Sequence, residues 1–314
     1  MKRTSLILVV AVSAAALLAA PFLGMERIPL GVLWGAADER VSDVFWKLRL
    51  PRVIIAFLAG AGLSLSGAAL QAMFRNPLAT PFTLGISSGA ALGAAVYFLL
   101  GFTFSLPGVS GSAAFAFVGS LAAATLVCGL TQLGGARSAA TMLLAGVAVS
   151  FFLSAVIMFL QYLSDYSHSF QMVRWLMGGV ETVGFDSVWN LTPFVVSGTL
   201  ILVFLRHELN LLLLGEELAA GRGVDVGRAR ALIFLATSLM VGGAVSVCGP
   251  IGFVGMITPH VCRLLVGADH KRLLPVAMLA GGTFLVVCDL VARTVIAPAE
   301  LPVGIITSLL GGPF

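Results

Sequence analysis

Few residues in this chain can do chemistry, and their spacing rules out most of the chemistries they might serve. ATP hydrolysis by a P-loop needs Gly-Lys-Ser/Thr, whose backbone amides and lysine cradle the phosphates. The three lysines are Lys2, Lys47 and Lys271, and none follows a glycine. The four histidines (His168, His207, His260, His270) lack metal-ligand spacing. His260 follows Pro259 and reads as structural. The four cysteines (Cys128, Cys248, Cys262, Cys288) form no CxxC and lie in or beside apolar runs, so they read as small packing residues. No Ser/His/Asp set lines up as an intramembrane hydrolase would require. What remains is Asp289, the one acid inside a long apolar run, four residues before Arg293. An acid in that setting suits a proton or ion relay. It equally suits a mutually neutralising i,i+4 pair near a helix end, which is the preferred reading.

These residues are carried by elements that belong in lipid. The 314-residue chain is 59% hydrophobic and 10% charged, with a mean hydropathy of +1.06. An ordinary soluble domain is about 25% charged, and a globule of this length needs a large polar skin. The composition therefore describes an all-α, polytopic membrane protein forming a single transmembrane domain over 1–314. The net charge of +4 fits loops near anionic lipid better than nucleic acid, which is not expected as a partner. A span needs about 20 apolar residues. Candidates run over 5–24, 51–74, 85–101, 112–132, 139–163, 188–205, 229–248, 251–266, 273–296 and from 302 to Phe314, the tenth being incomplete. Met1-Lys2-Arg3, followed by an apolar run, also resembles a secretory signal. The run is long enough to span, so a retained first helix is preferred.

Orientation follows from the basic residues. With the N-terminus inside, the inner segments hold Lys2, Arg3, Arg75, Arg137, Arg206, Arg222, Arg228, Arg230, Arg263, Lys271 and Arg272. Five of the remaining seven, Arg27, Arg40, Lys47, Arg49 and Arg52, crowd one outer loop and its edge. That crowding calls for a separate explanation.

Small residues cluster in the second and third spans, among them Ser64, Gly67, Ser87, Ser88 and Gly89. In lipid such residues let helix backbones approach closely. The sharper reading is that some line a wide, weakly polar path for a ligand that must not stick. Prolines bend the connections Arg75-Asn76-Pro77-Leu78 and Gly249-Pro250-Ile251-Gly252. FLAGAGLSLSG in the second span loosely echoes FLATSLMVGGAVSVCG in the seventh, as an inverted repeat would. The longest charged inner segment, about 207–227, has helical propensity over Leu209–Ala220 and stops at Gly221 and Gly223. A short amphipathic helix there, at the membrane face, would dock a separate ATPase subunit.

Several long motifs, in order along essentially the whole chain, resemble the FecCD family, permease subunits of type II ABC importers for iron–siderophores, haem and vitamin B12. They are LRLPR at Leu48–Arg52, GAGLSLSGAALQAMFRNPLATPFTLGISSGAALGA, MLLAGVAVS, VRWLMGG, GPIGFVGMITPHVCRLLVGADHKRLLP, and DLVAR with ELPVGIITSLLGGPF. Family members usually continue past Gly-Gly-Pro-Phe, which is why the tenth span reads as truncated. The resemblance implies a vitamin B12 importer-like fold of ten helices and a homodimer with the path between its copies. It further implies two cytoplasmic ATPase subunits that use ATP and magnesium, a periplasmic or lipid-anchored binding protein, and no cofactor or metal held by this chain. It assigns Arg49, Arg52 and Arg293 to receiving acidic side chains of the binding protein, a role suited to arginine forks. It maps the cytoplasmic gate onto Asn76, Pro77 and Leu78 and onto Ser138, Ala139, Ala140 and Thr141. It also places ATPase coupling on Gly215, Glu216, Glu217, Ala219, Gly221, Arg222 and Gly223. The chain is then a multi-pass permease of the bacterial inner membrane, not itself an enzyme, working by alternating access. Iron–siderophore is the first substrate class, with haem and cobalamin as alternatives, and the outer segment Ser164–Asp186 is a candidate for ligand contact at the mouth. The rival from another class is an ion-coupled carrier with Asp289 as its relay.

Overall fold

The computed structural model describes residues 2–24, 28–102, 104–106, 108–133 and 139–314. Each of the ten expected apolar segments contains a helix: α1 (Lys2–Ala19), α3 (Leu50–Phe74), α4 (Ile86–Leu99), α5 (Gly111–Leu133), α6 (Ala139–Leu163), α8 (Asp186–Phe204), α11 (Val226–Cys248), α12 (Val254–Val266), α13 (His270–Ala292) and α14 (Val303–Gly311). Among the described residues, six helical stretches are long and apolar enough to cross a membrane, judged by length and composition. The rest are shorter. Four further helices lie between them: α2 (Glu39–Asp43), α7 (Tyr166–Leu176), α9 (Arg206–Leu212) and α10 (Glu216–Gly221). A two-residue hairpin, β1 (Ser105–Leu106) against β2 (Val109–Ser110), joins α4 to α5.

The helix α3 is the hub. A π-helical turn over Val44–Arg49 makes it continuous with α2, and Pro51 sits in its first turn, where a missing N–H costs nothing. It packs against α8, α11, α12 and α13. Its apolar stretch is 83% buried, whereas that of α6 is 22% buried, so α6 turns most of its surface outward. The small residues permit this crowding. A Cβ on Gly67 would collide with the carbonyl of Gly255 in α12. Ser64 Oγ donates to the Ala277 carbonyl in α13 and lies 2.7 Å from Thr258 Oγ1 in α12. Gln71 Nε2 donates to the carbonyls of Gly255 and Met256, each at 3.3 Å, and so holds the first turn of α12. In the neighbouring seam, a Cβ on Gly89 of α4 would strike the Gly119 carbonyl of α5.

Both proline-containing connections are irregular. Among the described residues, Arg75 (φ 49°) and Phe253 (φ 68°) are the two non-glycine positions with positive φ. Arg75 caps the C-terminus of α3, and Phe253 lies between α11 and α12. Strained backbone of this kind persists only where packing fixes it.

Candidate functional site

The arginines expected to form a docking site do converge, but not as an open fork. Arg52 lies one turn into α3, and Asp289 and Arg293 lie at the end of α13, which packs against it. Arg52 Nε donates to both Asp289 oxygens at 3.0 and 3.2 Å, and its Nη2 is 2.9 Å from Oδ1. The expected Asp289–Arg293 pair is the looser one, at 3.8 Å. The sequence spacing found a partner for Asp289, but the closer one comes from another helix. Arg293 is 5% exposed and turns inward, its Nη2 donating to the Ala20 carbonyl at 2.9 Å. Arg49 is half-buried, with its guanidinium beside Gly24 and Nη1 3.5 Å from the Pro21 carbonyl. The remaining edge of Arg52, Nη1, meets Glu300 Oε2 at 2.7 Å. Glu300 is a member of this cluster that the motif reading did not single out.

A cavity of about 960 Å³ opens among the connection after α3 and helices α4, α6, α12 and α14. Its lining includes Thr80, Thr83, Ser87, Ser88, Ser154 and Ser308 among aliphatic and aromatic side chains, and contains no charged residue. Of the small residues expected along a path, Ser87 and Ser88 line it. Ser64, Gly67 and Gly89 do not: they sit in the helix seams described above, where close packing accounts for them.

A backbone knot closes one end of this cavity. Gly179 N–H donates to the Cys248 carbonyl at 2.8 Å, and Gly304 N–H to the Gly178 carbonyl at 3.3 Å. Met177, Pro250 and Gly304 face the cavity. Gly178, Gly249 and Pro302 face a smaller cleft on the other side, about 330 Å³, lined also by Arg52, Glu300, Arg174 and Glu181. The knot therefore separates an uncharged cavity from a charged cleft. The helix α7, whose C-terminal end leads into this knot, lies in the 164–186 segment and was not expected as a helix. Its N-cap Asp165 accepts the His168 N–H at 2.8 Å.

At the opposite end stands the turn Asn76-Pro77-Leu78. Asn76 Oδ1 accepts the Leu78 N–H at 2.9 Å, and Leu78, 66% exposed, lines the cavity. Ala139 and Ala140 open α6 and are not among the lining residues; Arg137 and Ser138 lie outside the described residues. The 207–227 segment forms two helices rather than the single one expected, because Gly215 takes φ 123° between α9 and α10. Leu209, Leu211, Leu212 and Ala219 are buried, while Glu217, Arg222 and Gly223 face outward. Glu216 pairs with Arg230 at 2.6 Å, Gly221 ends α10, and the Arg75 guanidinium lies near Gly215, which brings the turn at Asn76-Pro77-Leu78 close to this loop. The motif reading also missed Asn210, whose side chain joins α9 to Asp269 and His270 at the start of α13. Asp269 before an apolar run is an N-cap signal that could have drawn attention to it.

The profile of the FecCD transport family matches residues 7–314. The chain belongs to the FecCD transport family. This FecCD chain is 38% identical to the hemin transport system permease HmuU of Yersinia pestis, over 93% of this chain and 88% of that protein. It is 45% identical to the cobalamin import system permease BtuC of Halobacterium salinarum, over 88% and 73%. It also superposes on a structure described as an inward-facing conformation of an ABC transporter of metal-chelate type, with TM-score 0.87 and 34% identity, covering 98% of this chain and 96% of that one. The FecCD chain is thus an ABC importer permease of the vitamin B12 importer type. That membership decides against the ion-coupled carrier. Asp289 is held by Arg52 in a two-pronged pair and is 1% exposed, the arrangement of a buried acid paired with an arginine.

Proposed function

We propose that this FecCD permease works as a homodimer in a bacterial inner membrane, with its N-terminus inside, and imports an iron–siderophore or similar bulky metal chelate. The single observation that carries the substrate class is the cavity. Its volume falls in the upper part of the range for small-molecule sites, yet its lining offers hydroxyls and apolar surface with no charge. Such a wall lets a large polar ligand pass without a tight resting place. Specificity then resides in a periplasmic or lipid-anchored binding protein, and haem and cobalamin stand as the alternative cargoes.

In this reading the binding protein docks over Arg49 and Arg52, with Arg293 behind them bracing Asp289. Two cytoplasmic ATPase subunits, using ATP and magnesium, engage the outward-facing residues of α10 and its flanks. Their movement reaches the gate turn through Arg75, whose guanidinium lies near Gly215. The test is reconstitution in proteoliposomes with the cognate ATPase and binding protein. Uptake of radiolabelled ferric siderophore should depend on ATP and exceed uptake of hemin and cobalamin. Preferential uptake of either of those would reassign the cargo, and uptake without the ATPase would overturn the scheme.

A further inference from the structure

Among the described residues, three guanidiniums (Arg49, Arg52, Arg293) share the cluster beside the charged cleft with two carboxylates (Asp289, Glu300). The two acids are not equivalent. Asp289 is buried and takes the Nε/Nη2 edge of Arg52, an arrangement that incoming groups cannot reach. Glu300 takes the remaining Nη1 and is 43% exposed at its side chain, against 14% for Arg52. It therefore occupies the position that a carboxylate arriving from outside the protein would take.

The location of Glu300 in the chain gives this pair a mechanical consequence. It lies on the irregular stretch after α13, two residues before Pro302 and four before Gly304. Gly304 N–H is bonded to the Gly178 carbonyl in the knot, and α14, which begins at Val303, walls the cavity with Gly304, Ile305 and Ser308. The Arg52–Glu300 pair thus anchors to α3 the strip of chain that leads into both the knot and the cavity wall. Leu301 N–H adds a backbone bond to Ala292 at 3.0 Å, so the strip is pinned at three points, Glu300, Leu301 and Gly304, of which the first is exposed and ionic.

We propose that Glu300 is an internal stand-in for the binding protein's docking carboxylate and that its displacement from Arg52 loosens the knot. The exchange is one carboxylate for another on the same guanidinium edge, so no charge is left buried alone at any stage. Docking would then be opposed by the internal pair until the carrier's acid replaces it, and replacement would release the 300–304 strip. This rests on the docking role proposed above for Arg49 and Arg52.

The experiment uses the complete importer in nanodiscs and measures binding-protein affinity, association rate and carrier-independent ATPase activity. Glu300→Gln should raise affinity about tenfold at low salt, speed association, steepen its salt dependence because a competing negative charge is gone, and raise carrier-independent ATPase activity. Arg52→Glu should abolish docking. Glu300→Asp, which keeps the charge but shortens the reach to Nη1, should lie between wild type and Gln, and size-exclusion elution with the ATPase confirms that each variant assembles. Unchanged or weaker affinity in assembled Glu300→Gln, with docking still lost in Arg52→Glu, overturns the stand-in while leaving the docking site in place. Docking retained in Arg52→Glu would remove the site itself and the stand-in with it.

Discussion

Asn210 Oδ1 accepts both the backbone N–H of His270 at 2.9 Å and its ring Nδ1 at 2.8 Å. The amide cannot be turned around, because its Nδ2 donates to Asp269 Oδ1 at 2.9 Å. Oδ1 must then face the histidine, and Nδ1 must carry the proton. One side chain on α9 thereby fixes the start of α13, whose far end carries Asp289. Asn210→Ala leaves two donors of the buried His270 without their acceptor, a loss of roughly 1–3 kcal/mol. The variant should show a lower Tm in detergent, and in the assembled importer a reduced ratio of carrier-stimulated to basal ATPase. An unchanged Tm would show that water replaces the amide and that the joint is dispensable.

The same joint predicts a pH dependence. The amide of Asn210, followed by the backbone N–H of Lys271, holds the Asp269 carboxyl below its ordinary value. A carboxyl depressed in the folded state adds stability that is present above the ordinary carboxylate pKa and lost as pH falls through the depressed one. Asp269 is exposed, so the effect is small. Tm measured downward from pH 6 should fall less in Asn210→Ala than in wild type. Parallel curves would mean that the hydrogen bond does not set this carboxyl.

Asp289→Asn tests whether the buried acid is a counter-ion. Removing its charge takes the carboxylate from the Nε/Nη2 edge of Arg52, which keeps only Glu300, and from the buried Arg293; breaking a buried pair in this way costs on the order of 3–5 kcal/mol. The variant should express poorly or melt early, and adding Arg52→Gln should restore part of the loss, with a favourable coupling energy in a double-mutant cycle. A relay would behave otherwise: transport lost and Tm kept.

The helices were legible because lipid leaves little choice. Backbone polar groups must be satisfied internally, so an apolar run such as Ala139–Leu163 announces its helix end to end. The site was legible only as a set of residue types. LRLPR and VAR name Arg52 and Arg293, but nothing in their spacing reveals that Asp289 reaches across to α3, or that Glu300 closes the last guanidinium edge. Those contacts depend on how α13 and the strip after it lie against α3, a tertiary fact with no local periodicity. Small residues were ambiguous for the same reason. Gly67 and Ser87 look alike in sequence, yet one meets a carbonyl in a helix seam and the other lines a cavity.

That ambiguity is itself testable. Gly67→Ala places a methyl group against the Gly255 backbone, which cannot rotate away. Overpacking of this kind costs about 1–3 kcal/mol, occasionally more. Gly129 in α5 has open space where its Cβ would be, and Ala there should be neutral or stabilising by about 1 kcal/mol, as helix propensity dictates. Thermal melts of the two variants side by side should separate them, and equal Tm values would mean that α3 and α12 can part at little cost.

The cavity can be tested by filling it. Ser154 lies on the outward-turned α6, lines the cavity and is exposed there, so a larger side chain disturbs no packed seam. Ser154→Trp should lower uptake of the transported ligand at least about tenfold while leaving Tm and binding-protein affinity unchanged. The arginine cluster, proposed above as the docking surface, lies beyond the knot of Gly178, Pro250 and Gly304, out of reach of a ring at position 154. Ser154→Ala, which removes the hydroxyl but adds no bulk, should transport normally if the wall only excludes, and poorly if the hydroxyl binds. Wild-type uptake in Ser154→Trp would place the route of the ligand outside this cavity, whatever its volume.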